Sequence, residues 1–444
     1  MNTSPSEHLA GHAAAQQPPS PAAANADKGL WLQHTSPAER RTLTAAFAGY
    51  AVDGFDYMIY TFLIPTLIAA WSMSKAQAGY IATGALLTSA VGGWLAGVLA
   101  DRHGRVRVLQ WTVLWFAAFT FLSGFTTSPE QLFFTRAMQG FGMGGEWAVG
   151  SVLIAETIAA RHRGRAVGLV QSSWAVGWAA SALAFWGMYS VLPPETAWKV
   201  LFWIGILPAL LTLYVRRNVK EPAVYVAAQA RLRETGQKSN FLRIFHPSLL
   251  RTTVLASLLA AGMQGAYYSV TTWLPTFLKT ERHLSVLGTS TYLLVLIGGS
   301  FAGYLTSAWL SDAIGRRRCF MLFAAMGIVL VLSYTQIPVT DSLMLLLGFP
   351  LGFFLSGIFS GMGAFLSELF PSDVRGSGQG FTYNFGRAIG AACPALIGEL
   401  SSSHPLGQTI GWVGAACYAV VIVAALVLPE TRGRELSADA DAAP

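Results

Sequence analysis

Charge is the scarcest thing in this chain. Of its 444 residues 11% are Asp, Glu, Lys or Arg and 53% are hydrophobic, whereas soluble domains are about 25% charged. The shortfall argues against a soluble protein. Histidine is missing from every long apolar stretch, and all eight histidines lie in tails or loops. The three cysteines cannot all pair and form no CxxC or Cys/His cluster, so they are expected to be small buried hydrophobes. No phosphate-binding glycine loop is present. No metal, cofactor or enzymatic activity is therefore expected. The net charge of +7 does not imply a nucleic-acid partner, because the basic residues sit in short loops between apolar segments. Residues 1–29 are rich in Ala, Pro, Ser and Gln, with no apolar core after a basic start. That pattern is no cleavable signal peptide, and a disordered tail over 1–42 is expected.

What the chain has instead is long apolar runs. A membrane span needs about 20 such residues, and twelve stretches qualify: 43–69, 76–99, 107–126, 131–156, 166–190, 197–215, 250–278, 285–310, 319–337, 342–369, 377–400 and 408–428. The longest polar interval, 217–249, separates six spans from six. The expected layout is a helical bundle at 43–216, a central loop at 217–249, a second bundle at 250–428 and a tail at 429–444. With the N-terminus inside, 23 of the 29 Lys and Arg fall in inner segments and 4 in outer ones. That bias places both termini in the cytoplasm.

The halves repeat. LADRHGR (99–105), after span 2, recurs as LSDAIGR (310–316), after span 8. AETIAARHRG (155–164), after span 4, recurs as SELFPSDVRG (367–376), after span 10. FLIPTL (62–67) is echoed by WLPTFL (273–278), and KEP (220–222) by LPET (428–431). Asp101 and Asp312 are 211 residues apart, and Glu156–Glu368 and Arg163–Arg375 are each 212 apart. Correspondences in register argue for a duplicated six-helix unit, one of the known transporter plans.

The paired Asp-Arg-x-Gly-Arg loop resembles that of the major facilitator superfamily, over about residues 40–435. The resemblance implies an all-α integral membrane protein, with twelve transmembrane helices in two pseudo-symmetric six-helix bundles. DGFD (53–56) is similar to the helix 1 signature of the aromatic acid:proton symporters. The segment 201–222 resembles the end of helix 6 in sialate and lactate:proton symporters. The central loop lacks the extra spans that bacterial sialate symporters often carry, which counts against sialate itself. In the family, the cytoplasmic loops latch the outward-facing state through charge pairs. The matching residues are Gly97, Asp101, Arg102, Gly104, Arg105, Glu156 and Arg163, then Asp312, Gly315, Arg316, Glu368 and Arg375. Ala308 stands where the first loop has Gly97, and looser packing is expected there.

Away from the span ends, five ionisable residues lie at depth: Asp53, Asp56, Arg136, Glu146 and Arg387. A charge at the bilayer centre costs about 2.5 kcal/mol or more and is usually functional. Asp53 and Asp56, one turn apart on one face of span 1, lie about 15–20 Å deep. Burial and a second carboxylate both oppose ionisation, so one of the pair is expected to hold a proton near neutral pH. Glu146, in the glycine-rich MQGFGMGGEWAVG of span 4, is placed to complete the acidic cluster. Arg136 either pairs with it or snorkels outward. Arg387, in FTYNFGRAIG of span 11, has no acid at matching depth in spans 7–12, so a substrate carboxylate or an acid of the other half is its expected partner. In span 7 the positions facing the two aspartates fall near Met263 and Ala266. Tyr57, Gln171, Trp174, Gln264, Tyr267, Tyr383 and Asn384 are candidate cavity residues, as an acid with apolar parts would need.

The reading that follows is a monomeric secondary transporter of the inner membrane. It imports a small organic carboxylate with protons by alternating access. The alternatives are a proton-coupled exporter or antiporter on the same fold, a passive uniporter and a non-transporting sensor.

Overall fold

The computed structural model describes residues 35–158, 163–207, 209–221, 241–338, 340–371 and 374–432. The expected tails and most of the central loop lie outside these. Among the described residues all regular structure is helical. α1 (Pro37–Trp71), α2 (Lys75–His103), α3 (Arg105–Ser123), α4 (Pro129–Thr157) and α5 (Arg163–Val191) are followed by the pair α6 (Pro194–Ile204) and α7 (Ala209–Asn218). After a short 3-10 turn come α8 (Pro247–Thr280), α9 (Val286–Ile314) and α10 (Arg316–Gln336), then α11 (Asp341–Gly357), α12 (Met362–Leu369), α13 (Arg375–Gly390), α14 (Ala392–Leu400) and α15 (Leu406–Val427).

Local chemistry sets the helix starts. Ser36 with Glu39 and Ser74 with Gln77 form reciprocal capping boxes, and prolines open α1, α4, α6 and α8. Both satisfy or remove orphan N–H groups of the first turn.

Three expected spans are broken. Span 6 divides into α6 and α7 at 205–207, where the sequence supplies Gly205. Span 11 divides at Ala391, three residues before Pro394, whose ring would clash with a continuing ladder. Span 10 divides at 358–361, where i→i+3 turns run between two glycines. Among the described residues seven helical stretches, one of them the α11/α12 pair, are long and apolar enough to cross a membrane by length and composition. The remaining spans are the divided pairs α6/α7 and α13/α14, with α4, α5 and α8, which carry buried polar groups such as Arg136, Glu146, Gln171 and Gln264.

Packing follows the sequence repeat. α2 lies on α4, and α9 on α11; α1 lies on α5, and α8 on α13. Across the halves α5 meets α9, α2 meets α13 and α14, and α1 meets α8. Close approach at α2–α4 depends on missing side chains. A Cβ on Gly144 would collide with the carbonyl oxygen of Ser89, and one on Gly140 with that of Ala85.

The loops after α2 and α9 are built alike. Gly104 (φ 102°) and Gly315 (φ 100°) adopt backbone angles that favour glycine. Glu221 accepts from the N–H groups of Arg105 and Val106 at 2.9 and 3.0 Å. Glu430 accepts from those of Arg316 and Arg317 at 2.9 and 3.1 Å. These are the acids of KEP and LPET. The last span of each half thereby caps the third. Arg316 also pairs with Glu368 at 3.1 Å, and Arg375 Nε donates to the Ser367 carbonyl at 3.0 Å. The side chains of Asp101, Arg102, Glu156, Arg163 and Asp312 lie outside the described residues. Packing does not set Gly97 apart from Ala308, because a Cβ on Gly97 would meet nothing within 4 Å.

Candidate functional site

A narrow cavity of about 30 Å³ lies between the halves. Its walls are Tyr50, Asp53 and Tyr57 of α1, Leu86 of α2, Met143 of α4, Trp174 of α5, Gln264, Tyr267 and Tyr268 of α8, Tyr304 of α9, Phe359, and Tyr383 and Arg387 of α13. Eight of these thirteen side chains are aromatic, so the space suits a flat or partly apolar molecule.

The positive charge comes from Arg387, which is 6% exposed. Its Nη1 donates to Ser89 Oγ of the other half at 2.9 Å, its Nη2 to the Tyr383 hydroxyl at 3.1 Å and its Nε to Gln264 Oε1 at 3.3 Å. The guanidinium also stands 5.0 Å from the Tyr383 ring centroid. All these partners are neutral. Among the described residues no carboxylate lies within ion-pair distance of it.

The three acids divide into two groups. Asp56 is held by Arg136, whose Nη1 lies 3.5 Å from Asp56 Oδ2, and by the Gln139 amide. Both charges are buried at 1% exposure, and the Arg136 guanidinium packs over Tyr60 and Phe202. The expected alternative, Arg136 snorkelling outward, is not what the structure holds. With Asp56 already buried, an Arg136 that reached for the surface would leave that carboxylate uncompensated, which is costly. Asp53 instead faces Glu146 of α4, carboxyl to carboxyl, and it lines the cavity.

Three hydrogen bonds join the halves at the cavity wall: Arg387 to Ser89, Tyr57 to Thr272 Oγ1 at 3.1 Å, and Trp174 Nε1 to Tyr267 at 2.6 Å. Toward the end of the bundle opposite the chain termini the halves close. Tyr80 donates to Glu399 at 2.5 Å, and Thr83 donates to the Ala391 carbonyl at 2.6 Å.

Of the sequence candidates, Asp53, Tyr57, Trp174, Gln264, Tyr267, Tyr383 and Arg387 line the cavity. Gln171 and Asn384 do not. Asn384 donates to the Gly380 carbonyl at 3.0 Å and packs on Gly93, about 100° around the helix from Tyr383. In α8 the cavity residues are Gln264, Tyr267 and Tyr268, one position on from Met263 and Ala266. Sequence reasoning missed Tyr50, Tyr304, Phe359, Ser89 and Gln139. Only the buried-polar content of spans 2 and 4 pointed toward the last two. Cys393 and Cys417 touch, Sγ to Sγ, at 3.6 Å, and Cys319 is buried.

A twelve-span helical bundle in two related halves, enclosing a charged aromatic cavity at their junction, defines a membrane carrier. The model of the Major Facilitator Superfamily matches residues 46–393 and 296–443. The chain belongs to that superfamily and is a membrane transporter, not an enzyme. It is 40% identical over 403 residues to a "Probable 4-methylmuconolactone transporter" of Cupriavidus pinatubonensis, covering 91% of this chain and 93% of the relative. It is 31% identical to a cis,cis-muconate transport protein of Acinetobacter baylyi, covering 87% and 93%. It is 27% identical to the sialic acid transporter NanX of Escherichia coli, covering 88% and 95%. Among solved structures, the inward open xylose transporter XylE from E. coli superposes with a TM-score of 0.69 at 20% identity, covering 90% and 98%.

Proposed function

We propose that this chain imports a small organic carboxylate together with protons across the cytoplasmic membrane, with both termini in the cytoplasm. The halves at 43–216 and 250–428 rock about the cavity, and one chain is the working unit. The observation that carries the reading is Arg387, a buried guanidinium whose hydrogen-bond partners among the described residues are all neutral, in an aromatic pocket. A substrate carboxylate is the anion it awaits, by paired charge-assisted hydrogen bonds. The acids Asp53, Asp56 and Glu146 are carried by the other half and are the candidates for its proton-binding group. Arg136 tunes them through Asp56. The relatives' names point to organic acids as cargo, and 4-methylmuconolactone, a lactone bearing one carboxylate, is the first candidate. On binding, the carboxylate takes Arg387 from Ser89, and that removes one of the three bonds holding the halves together at the wall. The loop residues Gly97, Asp101, Arg102, Gly104, Arg105, Glu156, Arg163, Asp312, Gly315, Arg316, Glu368 and Arg375 act as the cytoplasmic latch.

The test is a thermal-shift and counterflow screen on purified protein. It compares 4-methylmuconolactone, cis,cis-muconate, sialic acid and a lipophilic cation. An acid should stabilise the protein and exchange in proteoliposomes, and an uncoupler should abolish accumulation. Stabilisation by the cation alone would overturn the reading in favour of efflux. Accumulation that never exceeds equilibrium would overturn it in favour of a uniporter.

A further inference from the structure

Four of the five buried charges form two sets with unlike surroundings. Asp56, Arg136 and Gln139 make a closed group, with the acid and the base compensating each other at 1% exposure. Asp53 and Glu146 make an open one. Their carboxyl groups face each other and Asp53 borders the cavity; both sets keep unpartnered buried polar atoms, so what sets this one apart is that, among the described residues, neither acid has a cation in ion-pair contact as Asp56 has Arg136. Two carboxyl groups in that contact cannot both be ionised, and one proton shared between them removes the repulsion. The remaining charge near Asp53 is Arg387 on α13. The groups facing it from elsewhere are neutral or compensated: Tyr50 and Tyr57 on α1, Gln264, Tyr267 and Tyr268 on α8, and Asp56, which Arg136 cancels.

We propose that the Asp53–Glu146 pair, and not Asp56, is the proton site, and that it takes up one proton with each substrate carboxylate seated on Arg387. This rests on the symport reading above. In the empty carrier the pair holds one proton and one negative charge, which balances the guanidinium. When a monoanion arrives, its carboxylate takes over the guanidinium and the pair's negative charge loses its counter-ion. Uptake of one further proton from water neutralises the pair, both acids then being protonated. The buried charge is zero in both states, so neither state carries an uncompensated charge through the low-dielectric centre. Transport of a monoanion is then electroneutral. A dianion would need a second proton or would leave one charge unbalanced, so the cavity discriminates in favour of monocarboxylates.

Two measurements on the full purified chain test this. The first is the infrared band of protonated carboxyl groups near neutral pH without substrate. It should be present in the native protein and in Asp56→Asn, and lost in both Asp53→Asn and Glu146→Gln. Absence of the band from the native protein, or its loss in Asp56→Asn alone, overturns the assignment. The two single variants back each other up if one fails to fold. The second is uptake of labelled 4-methylmuconolactone into proteoliposomes. An inside-alkaline gradient should drive it, and a potassium diffusion potential imposed with valinomycin should leave the initial rate unchanged. A rate that rises several-fold with an inside-negative potential overturns the one-for-one uptake. Absence of gradient-driven uptake beside the expected infrared pattern would sink the symport reading while leaving the proton assignment standing.

Discussion

Arg387→Ala is the most informative substitution in this molecule. The native guanidinium offers three nitrogens to three neutral acceptors at 2.9, 3.1 and 3.3 Å. Once the guanidinium is gone the acceptors Ser89, Tyr383 and Gln264 can bond water, and the Asp53–Glu146 pair can take up a second proton in place of its lost counter-ion, so the empty carrier should lose little stability near neutral pH. The loaded carrier loses a buried, charge-assisted bidentate contact. Truncating one partner of such a buried charged pair costs about 2–5 kcal/mol, and each 1.4 kcal/mol is about tenfold in Kd. Affinity for 4-methylmuconolactone should therefore fall by about 30-fold to a few thousand-fold. Arg387→Lys keeps the charge but replaces the planar fork with one ammonium, so it should fall between native and Ala. Quenching of Trp174, which lines the cavity, reports binding in purified protein. A Kd within twofold of native, in an Ala variant with native Tm, would refute the argument that the cation is the substrate anchor.

Other substitutions probe the frame. Arg136→Gln should cost about 3–5 kcal/mol by leaving Asp56 buried and unpaired, and adding Asp56→Asn should recover part of the loss in Tm; equal Tm for single and double variants would contradict a coupled pair. Gly144→Ala forces a methyl onto the Ser89 carbonyl, so thermal unfolding should show a loss of about 1–3 kcal/mol or more, while Gly97→Ala, with open space around it, should stay within about 0.5 kcal/mol. Glu221→Ala removes the acceptor for two N–H groups of α3 and should lower stability by about 0.5–2 kcal/mol, like the loss of a helix cap, again read as Tm.

The sequence made the depth of a charge legible but not its partner. Asp53, Asp56, Arg136, Glu146 and Arg387 stood out because hydrocarbon makes any of them expensive, and the loop repeat announced the halves. The two aspartates looked equivalent because an i,i+3 spacing puts both on one side of α1. Their separate fates, one in the Arg136 pair and one on the cavity, depend on how α4 is rotated and raised against α1. No periodicity within a single helix encodes that. The same limit explains Asn384, placed at the right depth and turned off the cavity. It also explains Tyr50, Tyr304 and Phe359, aromatic residues among many that lipid could equally have covered. The KEP and LPET echo was visible as a repeat. Its purpose was not, because a capping carboxylate is recognised by the distant N–H groups it meets.

The broken spans give the two halves different mechanics. In the C-terminal half the α-helical ladder is interrupted at 358–361, and span 11 is interrupted again just past Ala391, whose own N–H still reaches the Arg387 carbonyl, because Pro394 has no N–H to give. Their counterparts in the N-terminal half, α4 and α5, run unbroken. A bend at an existing gap sacrifices few hydrogen bonds, whereas a bend within α4 or α5 must break several. Beside the cavity, the half that carries the acids is thus stiff along α4 and α5, with its own break kept to the α6/α7 pair, and the half that carries the arginine is jointed on both sides of the cargo, with Phe359 at one joint. Arg387, four residues before Ala391, can follow a carboxylate by a local flexing of its own helix before the whole molecule rocks.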